Sequence, residues 1–414
     1  MLESVKTAFK LPDLRRKIFF TVGMLAIFRL GAHVPVPGFD NIDIASGTLF
    51  NLLDIMAGGA LKRMSLFALS VNPYITASII MSLLQMVIPS LGQMAKEGVE
   101  GRRKIQQYQR YGTIVLAIVQ AWAYTVSFQK YITNYSFFNV ASIILVMTAG
   151  SMLLMWVGEL IQEYGLGNGI SLIIFAGIVA RFLPGLYAFL KGIGPGGTPW
   201  YTALIYGVGA VAIVALVVAV TEGQRRIPVQ YAKRVVGRRM YGGQTTHIPL
   251  RVNQAGVIPI IFAVSVLSFP PTLAGFFPDV KFIRSLSDLF LPSSWVYMVS
   301  YAVMVFLFTF FYTAVSFNPI EVANNLKKYS GFIPGIRPGK PTAEYLDKVL
   351  TRITFSGALF LTFIALLPTI ASRLFNLSAG FSGTALLIAV GVALDTMRQI
   401  ESHLLMRQYE GFLK

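Results

Sequence analysis

The chain has 414 residues, of which 55% are hydrophobic and 13% are charged, and its mean hydropathy is +0.64. A soluble protein of this composition would expose large apolar patches, so the composition excludes an ordinary soluble domain and indicates a polytopic membrane protein. The formal net charge of +17, with 35 Lys and Arg against 18 Asp and Glu, fits partners such as nucleic acid, anionic lipid or an acidic protein.

Ten apolar runs are long enough to cross a bilayer, which takes about 20 residues each. The first run follows a basic segment, as the apolar part of a signal peptide would. The sequence "HVPVPG" stands where a small-residue cleavage site would be, so we expect a retained span. The ten predicted spans are 18–33, 71–90, 111–128, 141–161, 170–190, 201–221, 253–277, 295–317, 353–371 and 380–400.

The segments that connect the spans differ in charge between the two sides of the membrane. Segments on the side of the two termini hold 26 of the 35 Lys and Arg residues, whereas segments on the other side hold seven. The positive-inside rule therefore places both termini in the cytoplasm. The segment after the fourth span has Glu159 and Glu163 and no basic residue, but it is too short to overturn this pattern.

Ten spans divide naturally into two sets of five, an N-terminal half at residues 1–190 and a C-terminal half at residues 191–414. Because five is an odd number, the two halves insert with opposite orientation, and a pathway is expected between them near the middle of the membrane. The halves show no residue-level repeat, so this prediction rests on topology alone.

Residues 49–63, here called the re-entrant segment, lie on the exterior side and are apolar but too short to cross the membrane. In a helix interior, Gly58 and Gly59 would each cost about 1 kcal/mol relative to alanine. A short, weakly held apolar helix must be buried in protein or line a cavity. We therefore favour a helix that folds into a pore and can leave it; the alternative is an interfacial helix lying on the membrane.

Two cytoplasmic loops, about 222–252 and 318–352, are longer than topology requires. The first basic loop has seven basic residues, β-branched alternation and a Gly-Gly turn, which together predict a projecting hairpin. The second basic loop presents Arg337 between two Pro/Gly turns, where a guanidinium is placed for bidentate recognition of carboxylate or phosphate. Basic loops also arise from topology alone, but the length of these two favours docking of a partner.

The sequence offers no catalytic set. Its three histidines lie in different segments without a metal-ligand spacing, and it has no cysteine and no GxxxxGK[ST] phosphate loop. We therefore expect neither an enzyme nor a cofactor or metal. A coupled transporter would carry acidic side chains deep in its spans. The acidic residues near the spans lie at span ends instead: Glu159, Glu163, Glu222 and Asp395.

The middles of several spans carry small, branched and hydroxylated side chains, as in "PYITASII", "GISLIIF", "GVIPIIF" and "TALLIAV". Ordinary helix packing explains any one of these runs. Aliphatic side chains from several helices would, in combination, form a hydrophobic constriction that seals by excluding water.

Five long motifs occur in order along essentially the whole chain. They are "GGALKRMSLFALSVNPYITASIIMSLLQ", "KEGVEGRRKIQQYQRYGT", "GLGNGISLIIFAGIVA", "RRIPVQYAKRVVGRRMYGGQTTHIPLRVNQAGVIPIIFA" and "NPIEVANNLKKYSGFIPGIRPGKPTAEYLDKVLTR". Together they resemble the bacterial SecY family, the channel subunit of the general protein-export translocon.

The resemblance implies an all-α polytopic membrane protein with ten transmembrane helices in two inverted five-helix halves around an hourglass pore. Unfolded secretory polypeptides would cross through the middle, and hydrophobic segments would leave sideways into lipid through a lateral gate. The re-entrant segment would be the plug of this pore. Its residues include Leu49, Leu53, Met56, Gly58, Gly59 and Arg63.

By motif, the resemblance also implies a ring of aliphatic side chains at the constriction, here called the predicted ring. Residues 71 and 75 are four apart, as are 170 and 174, so each pair lies on one helix face, as a ring requires. Many relatives have isoleucine where this chain has Val71, and the missing methylene would loosen the seal only slightly. The predicted ring consists of Val71, Ile75, Ile170, Ile174, Ile261 and Ile388.

Polar side chains on the second span fit a lateral gate: Thr76, Ser78, Ser82 and Gln85. They would equally line a polar groove open to lipid, which a lipid scramblase or an insertase needs, so that alternative stays open. A secondary transporter would need a small-solute site and a coupling acid at mid-membrane, which the sequence does not supply.

The resemblance implies partners as well. Arg238, Arg239 and Arg337 would correspond to the loop positions that receive the SecA motor ATPase or the ribosome, whose RNA would be met through phosphate contacts. The other expected partners are the SecE and SecG subunits, preproteins with signal sequences, and membrane lipid. The expected location is the bacterial cytoplasmic membrane.

Overall fold

The computed structural model describes residues 9, 11–39, 49–193, 199–231, 234–236, 239–241, 245–276, 280–291, 294–374 and 383–412. Up to residue 191 the helices are α1 (Pro12–Gly31), α2 (Leu49–Met56), α3 (Asn72–Val87), α4 (Pro89–Lys96), α5 (Val99–Ser127), α6 (Phe137–Tyr164) and α7 (Gly169–Lys191). Beyond it they are α8 (Trp200–Glu222), α9 (Ile258–Leu267), α10 (Phe269–Phe276), α11 (Lys281–Leu289), α12 (Trp295–Ser316), α13 (Pro319–Lys328), α14 (Lys340–Leu374) and α15 (Gly383–Phe412).

Each of the ten predicted spans overlaps at least one of these helices, and the seventh is divided between α9 and α10. Within the described ranges, four helices are by themselves long and apolar enough to cross a membrane. The pair α3 and α4 would count as a fifth span if its two helices were taken together, although they are bent by 103°. Helical runs of sufficient length and apolarity therefore confirm the membrane class that the composition predicts.

The predicted second span is wrong at its C-terminal end. Helix α3 ends at Val87, three residues early, and α4 leads away from it at 103°. The bend is at Ile88, whose backbone is extended because the following Pro89 disfavours the helical conformation of the residue before it. Pro89 itself lies in the first turn of α4, where its missing N–H breaks no hydrogen bond.

Five short strands lie in the two basic loops. They are β1 (Gln224–Tyr231), β2 (Arg234–Val236), β3 (Arg239–Tyr241), β4 (Thr245–Arg251) and β5 (Gly331–Phe332). Strand β1 pairs antiparallel with β4, with Ile227 opposite Ile248, and β2 pairs antiparallel with β3. The hairpin predicted from the alternation in the first basic loop is therefore confirmed, while its Gly-Gly turn lies outside the described residues.

The two basic loops form one structural unit, because β5 of the second loop pairs with β1 of the first. A small hydrophobic core fastens this sheet to α14. Its fully buried members include Ile227, Val229, Leu250 and Leu346. The sheet is thus joined to the long helix α14 by packed apolar side chains.

Helices from the two predicted halves meet where α3 packs against α9 and where α7 packs against α15. Helix α5 also contacts α10. The largest hydrophobic core of the described residues draws side chains from both halves. This shared core is therefore the candidate location of the functional site. The boundary between the halves near residue 190 stays a prediction.

Candidate functional site

The six residues of the predicted ring are brought together in one place. Val71 and Ile75 lie at the start of α3, Ile170 and Ile174 on α7, Ile261 on α9, and Ile388 on α15. All six are buried, with exposed fractions between 1% and 9%, and all belong to the same hydrophobic core. A dry constriction needs aliphatic side chains from several helices, and here four helices supply them. The role of these six as a ring stays a prediction.

The turn that leads into α3 is fastened to α6. Ser151 on α6 donates a hydrogen bond from its Oγ to the Ser70 carbonyl, at 3.1 Å. Gly150 allows this approach, because a Cβ there would lie 1.9 Å from the Leu66 carbonyl oxygen. Pro73 then starts α3 in its first turn. This fastening sets the position of Val71 at the head of α3.

The re-entrant segment is helical only in its first part. The helix predicted from the sequence extends to Arg63, but α2 ends at Met56 and turns follow it. Gly58 and Gly59 have φ angles of +68° and +89°, which glycine adopts without steric cost. The N–H of Gly59 donates to the Asp54 carbonyl at 2.8 Å, and that of Gly58 to the Ile55 carbonyl at 3.1 Å. The expectation that both glycines lie inside a longer helix was therefore wrong: the two glycines end the helix in a Schellman motif.

The segment is buried in protein. Leu53, Met56, Ala57 and Leu61 are each at most 5% exposed, and Met56 and Ala57 share the hydrophobic core of the predicted ring. Burial of this kind is opposite to that of an interfacial helix, which keeps one face in water. Lys62 and Arg63, at the end of the segment, are exposed. The side chain of Leu49 lies outside the described residues.

Three polar contacts hold the re-entrant segment to neighbouring elements and to itself. The buried Asp54 forms an ion pair with Arg181 of α7. Arg29, in the last turn of α1, donates a hydrogen bond from Nη1 to the Gly58 carbonyl at 2.9 Å. Asp54 Oδ1 accepts the backbone N–H of Lys62 at 2.8 Å.

The prediction of a weakly held segment was wrong, because sequence reasoning missed these three contacts. The available signal was that Arg29 and Arg181 lie in otherwise apolar spans. Ionisable groups at such positions pair with one another or with backbone carbonyls. Asp54, an acidic residue in an apolar segment, was the matching partner.

The polar residues predicted for the lateral gate lie on α3, which packs against α5 and against α9 of the other half. Thr76 is buried, and Ser78 and Gln85 are half-buried. Ser82 donates from its Oγ to the Ser78 carbonyl at 2.8 Å, so that hydroxyl is satisfied within its own helix. The position suits a gate between the halves, and the gate stays a prediction.

A cavity of about 400 Å³ lies beside the core, at the N-terminal end of α7 and the middle of α15. It is lined by polar groups that include Asn168, Arg251 and Asp395. Asp395 lies 3.5 Å from Nη1 of Arg398, whose Nη2 donates to the Thr221 carbonyl at 2.7 Å. Asp395, the acidic residue that a coupled transporter would need, is thus paired with a neighbouring arginine near the end of its predicted span. Within the described residues, no group of three or more His, Asp and Glu side chains is placed to hold a metal ion.

Of the predicted docking arginines, Arg337 is described most fully. It is exposed between Gly335 and Gly339, whose φ angles are +80° and +102°. Thr342 fixes the backbone of this tip, because its Oγ1 donates to the Arg337 carbonyl at 2.8 Å. Arg239 begins β3, but its side chain lies outside the described residues, as does the whole of Arg238.

Comparison with known proteins gives this arrangement its family. The family model of SecY matches residues 65–397, which include the predicted ring and both basic loops. The chain belongs to the SecY family. The protein translocase subunit SecY of Streptomyces galbus is 47% identical over 439 aligned residues, with 100% of both chains covered. The chain is accordingly a protein-conducting channel of a membrane translocase, and not an enzyme.

Solved structures share its fold. A protein-conducting channel covers 94% of this chain and 92% of its own, with a TM-score of 0.66 at 21% identity. Sec61 in the canine ribosome–channel complex from the endoplasmic reticulum has the same coverage, with a TM-score of 0.62 at 20% identity. These similarities confirm the predicted all-α polytopic channel fold.

Proposed function

We propose that this channel passes unfolded secretory polypeptides between its two halves, with the predicted ring as the constriction and the re-entrant segment as the plug. The observation that carries the proposal is the shared core, in which six aliphatic side chains from four helices are buried together with Met56 of the re-entrant segment. A collar of branched aliphatics excludes water and ions at rest, and it yields to a polypeptide because none of its contacts is directional.

The lateral gate would be the contact of α3 with α9, one of the places where the two halves, 1–190 and 191–414, pack against each other. A hydrophobic segment in the pore would leave into lipid by separating these helices, since its transfer from water to hydrocarbon is favourable. Thr76, Ser78 and Gln85 would line the opening and stay wet while it is occupied.

Partners supply the driving force, because the chain has no nucleotide phosphate loop of its own. The exposed Arg337 on its fastened tip, with Arg238 and Arg239 in the hairpin, would receive the SecA motor or the ribosome. The shared fold with Sec61 of the ribosome–channel complex supports the ribosome as one partner. SecE and SecG would complete the channel in the bacterial cytoplasmic membrane, with both termini of this chain in the cytoplasm.

Reconstitution in vesicles tests the proposal. The channel, with its partner subunits and the motor ATPase, should carry an unfolded preprotein into a protease-protected lumen when ATP is supplied. A variant with Arg337 replaced by Glu serves as the matched control, since it keeps the membrane-embedded core. Uptake of small solutes without polypeptide would instead indicate a transporter, and exchange of labelled lipid alone would indicate a scramblase.

A further inference from the structure

The re-entrant segment contains one buried charge. Asp54 is 1% exposed, and its partner Arg181 lies on α7, against which α2 packs. Moving an unpaired carboxylate into a dry core is costly, so Asp54 is stable in this position only while a cation faces it. The buried position of the re-entrant segment therefore depends on the side chain of Arg181.

A second contact fixes the end of α2. Gly58 turns its carbonyl toward Arg29 of α1, which donates to it at 2.9 Å. The close approach needs glycine on both sides: a Cβ at Gly58 would lie 2.8 Å from Arg29 Nη1 and 3.1 Å from the Cα of Gly177. A Cβ at Gly177 would in turn lie 2.2 Å from the Met56 carbonyl oxygen. Helix α7 and the re-entrant segment thus touch backbone to backbone beside the two arginines.

We propose that Arg29 and Arg181 are positioning residues that form a latch, with Asp54 and the Gly58 carbonyl as its receiving groups, and that this latch keeps the channel shut at rest. The proposal rests on the proposed role of the re-entrant segment as a plug. Both arginines belong to the N-terminal half, α1 and α7, so separating the halves at α3 and α9 leaves the latch intact. Opening the pore then needs a second event that releases the segment.

Entry of water into the widening pore is the event that releases the re-entrant segment. The side chain of Arg181 is 36% exposed, and its Nε is buried without a hydrogen-bond partner among the described residues. The latch therefore leaves one charged donor unsatisfied, and hydration of the widened pore would satisfy it together with the carboxylate of Asp54. The latch is thus strong in a dry pore and weak in a hydrated one. A plug that moves only when the pore opens requires this difference.

The absence of native cysteine allows a direct test by thiol labelling. Ala57, 1% exposed and next to Gly58, is replaced by Cys, and a water-soluble maleimide is applied to the resting channel in vesicles. Added to this background, Asp54→Asn and Arg181→Gln should each raise the labelling rate by roughly tenfold to a hundredfold, the range for losing a hydrogen bond to a charged group. The double variant should label about as fast as either single one, because all remove the same pair.

A matched control breaks an ion pair elsewhere in the same half. Arg110 and Glu159 lie 2.9 Å apart on α5 and α6, so Glu159→Gln should leave labelling of Cys-substituted position 57 unchanged. Arg181→Lys keeps the charge without the forked geometry and should give an intermediate rate, which also guards against a Gln variant that misfolds.

Unchanged labelling in both Asp54→Asn and Arg181→Gln would overturn the latch, as would fully additive effects in the double variant. Thiol labelling at position 57 is measured without substrate. It therefore reports whether the re-entrant segment is in its buried position, independently of whether polypeptide crosses. A failure of translocation in reconstituted vesicles would therefore count against the proposed function and would not be mistaken for a failure of the latch.

Discussion

Glycine at position 177 has a packing role that its place in the middle of α7 does not suggest. Glycine in a helix interior costs about 1 kcal/mol relative to alanine. Alanine is nevertheless excluded here, because its Cβ would lie 2.2 Å from the Met56 carbonyl oxygen, a backbone atom that cannot move aside alone. The residue thus sets how deeply the re-entrant segment sits against α7.

Replacing Gly177 with Ala should therefore push the re-entrant segment outward and raise the resting ion leak of the channel. Single-channel conductance in planar bilayers measures the effect. Gly207→Ala is the matched control, because a Cβ at Gly207, in α8, would meet nothing within 4 Å. Equal leak in the two variants would show that the segment does not seal the pore at this contact.

The predicted ring offers a second test at the scale of single residues. Ile75→Asn or Ile388→Asn would put a polar group among aliphatic side chains that are 4% and 1% exposed. Because a dry collar seals only while water is excluded, both should increase ion leak and relax the demands on the signal sequence. Conductance and export of a preprotein with a defective signal sequence are the measurements. Ile75→Val removes one methylene, adds no polar group and should behave like the wild type, while leak-free Asn variants would remove these residues from the ring.

At the scale of elements, the second basic loop is more ordered than its Pro and Gly content alone would require. Strand β5 anchors one side of the tip to β1, and α14 begins on the other side at Lys340. The buried Thr342 fastens the tip between them through the Arg337 carbonyl. The guanidinium of Arg337 is consequently held out on a preorganised support, which lowers the entropy lost on docking.

Arg337→Glu should abolish motor-driven export while leaving the spans inserted, because one charge in a long loop does not reverse the neighbouring spans. Truncating or reversing one partner of a docked charge pair costs about 2–5 kcal/mol of binding free energy. Binding of the motor to vesicles and protease protection of the preprotein measure both steps. Lys340→Glu, an exposed charge reversal in the same loop, is the control. Normal export by the Arg337→Glu variant would show that this arginine does not dock the motor and is a basic loop residue explained by topology alone.

At the scale of the whole molecule, the two halves touch through a small set of helices, and both contribute to one hydrophobic core. The pathway proposed between them depends on the orientation of the chain in the membrane. That orientation follows from the charge asymmetry of the loops.

Cysteines introduced at exposed positions test the orientation in intact cells. Lys130→Cys, between α5 and α6, should react with a membrane-impermeant maleimide from outside. Lys327→Cys, near the end of α13, should react only after the membrane is permeabilised. The reverse pattern would place the termini outside and would contradict cytoplasmic docking of a motor.

The membrane class, the helices over the ten spans and the hairpin of the first basic loop could all be predicted from the amino-acid sequence. These properties depend on the length, period and charge of local runs, which the order of residues records directly. The end of α2 was predicted wrongly, because glycine occurs both inside helices and at helix ends, and only the hydrogen bonds of Gly58 and Gly59 to Asp54 and Ile55 distinguish the two cases.

The groups that hold the re-entrant segment could be identified only once the helices were seen packed together. Arg29, Asp54 and Arg181 are far apart in the chain, and each alone looks like a stray charge in an apolar run. Their pairing depends on how α1, α2 and α7 pack, and that packing in turn depends on Gly58 and Gly177 leaving room for backbone contact. No local pattern encodes such a match, since the energy of a buried charge is set by the partner that the fold brings to it.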